Sequence, residues 1–169
     1  MGAVDIGTLG LAGWGADVRI FDRARIQHPG GVTVASHVLI DDFVVIDGAG
    51  GVRIGSYVHI TAFTSITGGG PCVLGDFVGL SSGVRVLTRS AAADGDREGV
   101  VLEDHAFVGA NAVVEPGVRI GEGAVLGSLS VADADLEPWT VYVGAPARAV
   151  RERPRERVLA AGREALSRS

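Results

Sequence analysis

Residues 52–86 read VRIGSYVHITAFTSITGGGPCVLGDFVGLSSGVRV, and the aliphatic positions Ile54, Ile60, Ile66, Leu74, Leu80 and Val86 fall six, six, eight, six and six apart. The same step extends backwards through Ile20, Ile26, Val34, Ile40 and Ile46. Each step of eight coincides with a turn-rich insertion: His28-Pro29-Gly30-Gly31, Gly48-Ala49-Gly50-Gly51 and Gly68-Gly69-Gly70-Pro71. The period is therefore twenty, made of three hexapeptides and two extra turn residues. Beyond residue 100 the count resumes in strict sixes at Leu102, Val108, Val114, Ile120, Leu126 and Ala132.

Neither a 3.6-residue helix nor a lone amphipathic strand has a period of six. A three-sided coil does, because each unit is a short strand plus a turn and three units close one circuit. Strand alternation sends position i and position i−2 inward and i−1 outward. Val38-Leu39-Ile40, Val58-His59-Ile60 and Ala106-Phe107-Val108 obey this pattern. The residue after i is commonly glycine, as at Gly55, Gly75, Gly109, Gly121 and Gly127, where a sharp corner is expected. The reading is all-β: a parallel β-helix of about six coils in one domain, residues 1–153. Residues 87–100 exceed what a corner needs and are expected to protrude as a loop. Residues 154–169 are expected to form a short C-terminal α-helix, opened by Pro154 and carrying Val158, Leu159 and Leu166.

Composition agrees with short strands and many turns. The chain has 26 glycines among 169 residues but only five Phe, two Tyr and two Trp, so Val, Ile, Leu and Ala must fill the interior. The net charge of −5 and the scatter of basic residues before the final segment argue against a nucleic-acid partner. Cys72 is the single cysteine, which excludes an internal disulfide and a cysteine-built zinc site and fits a reducing, cytoplasmic setting. No signal peptide or membrane anchor is expected from residues 1–15.

Stacking the coils places Leu39, His59, Gly79, Phe107 and Val125 in one outward column. The other two columns are Thr33, Arg53, Val73, Val101, Arg119 and Val45, Ser65, Arg85, Val113, Val131. Apolar outward residues recur in all three, so a cover is expected, most simply further copies of the chain in a closed cyclic assembly. His59 is the one titratable group of its column, and Gly79 beside it is read as room for a ligand. A buried imidazole held by a partner suits a general base, the alternative being a histidine that only hydrogen-bonds across an interface. His28, His37 and His105 lie in corners and are read as structural.

The run DHAFVGANAVVEPGVRIGEGAVL (104–126) and the closing LEPWTVYVGAPARAVRER (136–153) resemble the hexapeptide-repeat acyltransferases. The segment HITAFTSITGGGPCVLGDFVGLSSG (59–83) is similar to the branch acting on nucleotide-linked amino sugars. The resemblance implies a left-handed coil, a homotrimer with sites between subunits, and acetyl-CoA as co-substrate with no metal. It further implies transfer of an acetyl group to a sugar amine or hydroxyl, with His59 as the base. Matched by position, CoA contacts would fall on Ala110 and Ser128, which permit close approach of the pantetheine arm, and on Arg148 and Arg151 near the phosphates. Trp139 would cap the prism or underlie the adenine. The loop histidine of galactoside-type relatives is replaced here around Ala91. That departure leaves two readings open: an enzyme relying on His59, or a noncatalytic scaffold. A γ-class carbonic anhydrase would need three histidines converging on zinc, and the four here are not spaced for it.

Overall fold

The computed structural model describes residues 2–90 and 98–167. Short strands wind into a three-sided solenoid whose walls are sheets of six, eight and six strands, parallel throughout except for the last strand of the second. The inward column Ile20, Ile40, Ile60, Leu80, Val108, Leu126 stacks residue on residue through five consecutive parallel pairings. All six are at most 1% exposed. Val38, Val58, Val78, Ala106 and Ala124, the i−2 positions, are equally buried. The three outward columns read from the sequence recur as registered pairs, for example Leu39 with His59, Val73 with Val101, and Val113 with Val131.

The corners turn differently from expectation. The glycines Gly55, Gly75, Gly109, Gly121 and Gly127 do not have positive φ; the left-handed residue comes two further on, at Tyr57, Phe77, Asn111, Gly123 and Leu129, and likewise at His105 after Glu103. What demands glycine at Gly55 is close approach of the next coil, since a Cβ there would lie 2.6 Å from the backbone carbon of Gly75. The left-handed corner residues stack along the axis. His37, Tyr57, Phe77 and His105 form one ladder with ring centroids 4.6, 4.8 and 4.8 Å apart.

After the sixth coil, strand Thr140–Val143 adds to the second sheet and Arg148–Glu152 folds back on it antiparallel. Arg153 pins this return, donating to the carbonyl oxygens of His105 and Gly123 at 2.7 and 2.9 Å. Partial burial lowers its pKa from the usual guanidinium value. The terminal helix spans Arg155–Leu166, with Pro154 just outside it as the extended cap residue rather than its first turn. The helix docks through Gly162, whose Cα hydrogens face the His105 and Phe77 rings, while Leu166 stays 55% exposed. The expected loop is narrower than 87–100, because Leu87 and Val100 are strand residues and Arg89 and Glu98 are joined by an antiparallel bridge. Residues 91–97, including Ala91, lie outside the described residues. No helix among the described residues is long and apolar enough to cross a membrane.

Cys72 faces the core, and burial pushes its thiol up to about 12. Its sulfur therefore stays protonated and shielded. In a native sample a thiol reagent should label Cys72 at least ~10²-fold more slowly than in the denatured chain, because reaction requires opening of the coil. Comparable rates would show that the third and fourth coils breathe freely.

Candidate functional site

His59 projects from strand His59–Ile60 on the second sheet, between Leu39 and Gly79. Its Nε2 lies 3.1 Å from Oδ2 of Asp41, and the imidazole is 49% exposed. Within the single chain the imidazole is half-exposed and its hydrogen-bond partner is an aspartate of the same chain. Asp41 follows Ile40 at the corner one coil below. Nε2 is engaged by the carboxylate, and Nδ1 is the ring nitrogen left over.

The room inferred at Gly79 is not there. A Cβ at Gly79 would lie 2.9 Å from Cδ2 of Phe107, whose ring leans across the gap. The glycine accommodates a neighbour's side chain rather than a ligand.

Ala110 and Ser128 come together. They follow strands Phe107–Val108 and Val125–Leu126 at the same corner of successive coils. Gly109 permits their close approach, since a Cβ there would meet the Ser128 nitrogen at 2.5 Å. Arg148 pairs with Val143 and Arg151 with Val141 in the returning strand, so both stand on the outer edge of the same sheet. Arg148 is 70% exposed with Asp133 4.0 Å away, and Arg151 donates to the Glu152 carbonyl at 3.1 Å. The strand order places Ala110 two strands, Ser128 three and the arginines five from His59. At about 4.8 Å per strand these are roughly 10, 14 and 24 Å. His59, the two small corner residues and the two arginines thus follow one another in that order along the coil axis.

The remaining histidines are occupied locally: His28 with Asp47 at 2.8 Å, His37 with Asp17 at 3.4 Å, and His105 within the aromatic ladder. Hydrogen bonds from His28 and the Ala49 amide lower the Asp47 pKa below the usual carboxylate range. Trp139 caps the last described rung, its indole under Gly123 and Arg155 5.0 Å above its ring. Among the described residues no group of three His, Cys, Asp or Glu side chains is placed to hold a metal ion. Hollows of about 200 Å³ beside Val73, Val101 and Arg119 and about 440 Å³ beside Trp139 and Arg153 lie away from His59. Asp41 is the site residue that sequence reasoning missed. Its only signal was an aspartate directly after Ile40, which reads as an ordinary corner residue.

Residues 99–131 match the family described as bacterial transferase hexapeptide (six repeats). The chain is 31% identical over 169 aligned positions to the dTDP-4-amino-4,6-dideoxy-D-glucose acyltransferase of Escherichia coli, covering 90% of this chain and 88% of that protein. It superposes with a TM-score of 0.88 at 29% identity on AntD, an N-acyltransferase from Bacillus cereus in complex with dTDP and 3-hydroxybutyryl-CoA, covering 99% of this chain and 98% of that one. A shorter match, 40% identical over 53 residues, is to the chloramphenicol acetyltransferase of Escherichia coli and spans only 25% of that protein.

Proposed function

The chain belongs to the hexapeptide-repeat acyltransferases, and we propose that it transfers an acyl group from a coenzyme A thioester to the amine of a nucleotide-linked amino sugar. The observation that carries this reading is the order along the coil axis of His59, then Ala110 and Ser128 at the corner that follows the second sheet, then Arg148 and Arg151 on that sheet's last strand. That order matches the order of thioester, pantetheine arm and phosphates in the co-substrate. Small residues suit the thin arm, and guanidinium suits phosphate.

In the proposed reaction His59 Nδ1 takes a proton from the acceptor amine as its nitrogen attacks the thioester carbonyl. The C–N bond forms, the C–S bond breaks, and the proton passes from the imidazole to the departing CoA sulfur. Asp41 fixes the imidazole's orientation through its contact with Nε2. We further place the enzyme in the cytoplasm as a homotrimer with its sites between subunits. Apolar outward residues Leu39, Phe107 and Val125 support a neighbouring copy covering this wall.

The test is a thiol-release assay pairing dTDP-4-amino-4,6-dideoxyglucose with acetyl-CoA or 3-hydroxybutyryl-CoA. One thiol should appear per acylated sugar identified by mass. Binding of CoA without thiol release across a panel of amino-sugar nucleotides would instead favour the scaffold reading. Arg148→Ala and Arg151→Ala should each raise KM for the acyl-CoA about threefold to tenfold with kcat nearly unchanged, and the difference should shrink as salt is added. An equal fall in kcat would place these arginines elsewhere in the mechanism.

A further inference from the structure

In the outward column of the second sheet, Leu39, His59, Gly79, Phe107 and Val125 are registered strand on strand. Phe107 carries the column's only phenyl ring, and that ring does not stand over its own strand. It leans toward the histidine, across Gly79: a Cβ at Gly79 would lie 2.9 Å from Cδ2 and 3.3 Å from Cε2 of the ring. The strands of Gly79 and His59 are adjacent, about 4.8 Å apart. Phe107 is 39% exposed, so one side of the ring rests on the wall and the other stays open.

Neither residue is called for by the coil itself. Gly79 does not lie at positive φ, so its backbone accepts any residue. Among the described residues outside its own strand, the two Phe107 ring carbons are the only atoms within 4 Å of where its Cβ would stand. The glycine therefore serves to seat the ring. Phe107, at an outward position, packs no part of the solenoid core. What the seated ring does cover is the stretch of wall between the imidazole and the corner of Ala110, which lies three residues beyond Phe107.

We propose that Phe107, seated on Gly79, sets the length of the acyl group that the enzyme accepts. The inference rests on the acyl-transfer reading, in which the pantetheine arm passes Ala110 and the thioester carbonyl meets the acceptor nitrogen at His59. Between those two points the co-substrate crosses the Gly79 strand, and the acyl carbons hang from the carbonyl beside the open side of the ring. The ring fills the recess into which a longer chain would turn. Favoured co-substrates are thus thioesters of acyl groups with about two to four carbons, because further methylenes find no apolar cover. Without the ring, Gly79 floors an apolar gap between His59 and Val125, and a gap of that kind takes apolar guests.

Thiol release from acetyl-, butyryl-, hexanoyl- and octanoyl-CoA, with dTDP-4-amino-4,6-dideoxyglucose as acceptor, tests this on the full chain. For the wild type kcat/KM should fall from butyryl to octanoyl. Phe107→Ala should raise the ratio of octanoyl to acetyl kcat/KM at least ~10-fold. Gly79→Ala pushes the ring off its seat into the path of the chain, and should lower the ratio of butyryl to acetyl about threefold or more. Combining the two substitutions places a methyl group in the emptied gap and should cancel part of the octanoyl gain. If Phe107→Ala and Gly79→Ala both keep the wild-type ratios, Phe107 does not set chain length, while the transferase reading stands. A wild type that prefers octanoyl to acetyl overturns the inference in the same way. If the wild type releases no thiol from any of the four thioesters across a panel of amino-sugar nucleotides, the transferase reading fails and the inference with it. If Phe107→Ala lowers the assembly's mass in sedimentation and leaves the ratios unchanged, the ring is an interface contact and the inference is overturned.

Discussion

Replacing His59 with alanine should lower turnover at least ~10²-fold while leaving acyl-CoA affinity nearly unchanged, the signature of losing a proton acceptor rather than a binding contact. The imidazole stands roughly 10 Å from the Ala110 strand, too far along the wall to hold the arm or phosphates of the co-substrate. Its removal therefore touches the chemical step alone. Asp41→Asn supplies the graded control: the amide keeps the shape but not the charge beside Nε2, 3.1 Å away. Its turnover should fall less than that of His59→Ala and more than that of a surface change such as Arg157→Ala. Steady-state kinetics with saturating acceptor, together with CoA titration, measures both quantities. Wild-type turnover in His59→Ala would remove the imidazole from the mechanism and leave the amine to lose its proton by another route.

Ile60→Ala should be the most damaging single truncation in the coil, costing about 2–5 kcal/mol. Ile60 is fully buried and sits mid-column, with Ile40 registered on one side and Leu80 on the other. Backbone hydrogen bonds to both neighbouring coils fix the strand, from Asp41 N to Ile60 O and from Thr61 N to Leu80 O, so the walls cannot close around the void. For a domain of this length the loss corresponds to a fall in melting temperature of about 5–15 °C, read by calorimetry at fixed protein concentration. A fall under about 2 °C would mean that the prism repacks, contrary to the stiffness implied by a registered stack. Leu166→Ala, on the exposed side of the terminal helix, should change little by comparison.

The inward columns were legible because burial is enforced at every coil. A residue such as Ile60 has no alternative face, so spacing alone assigns its position and its stacking partners. The line from Ala110 to Arg151 was legible only by family resemblance. The antiparallel return that brings the arginines back onto the sheet has no hexapeptide period. Asp41 escaped because columns join residues twenty apart, whereas the imidazole reaches diagonally to a residue eighteen positions back. Gly79 misled for a related reason: a missing side chain announces space, but only coordinates tell whether Phe107 has taken it. The corner glycines misled too, since close approach and left-handed φ both select glycine and a sequence does not separate them. Arg153 and Gly162, which anchor the return strand and the helix, act through backbone oxygens and a ring edge that no local pattern encodes.

A wall made of stacked coils also works as a ruler with fixed graduations. Deleting or inserting one whole coil between His59 and the returning strand would shift the reactive end of the co-substrate against its anchoring end by one strand spacing, about 4.8 Å, with no intermediate setting. Lineages sharing this architecture can therefore tune reach only in whole steps, and finer adjustment is left to side chains at the corners.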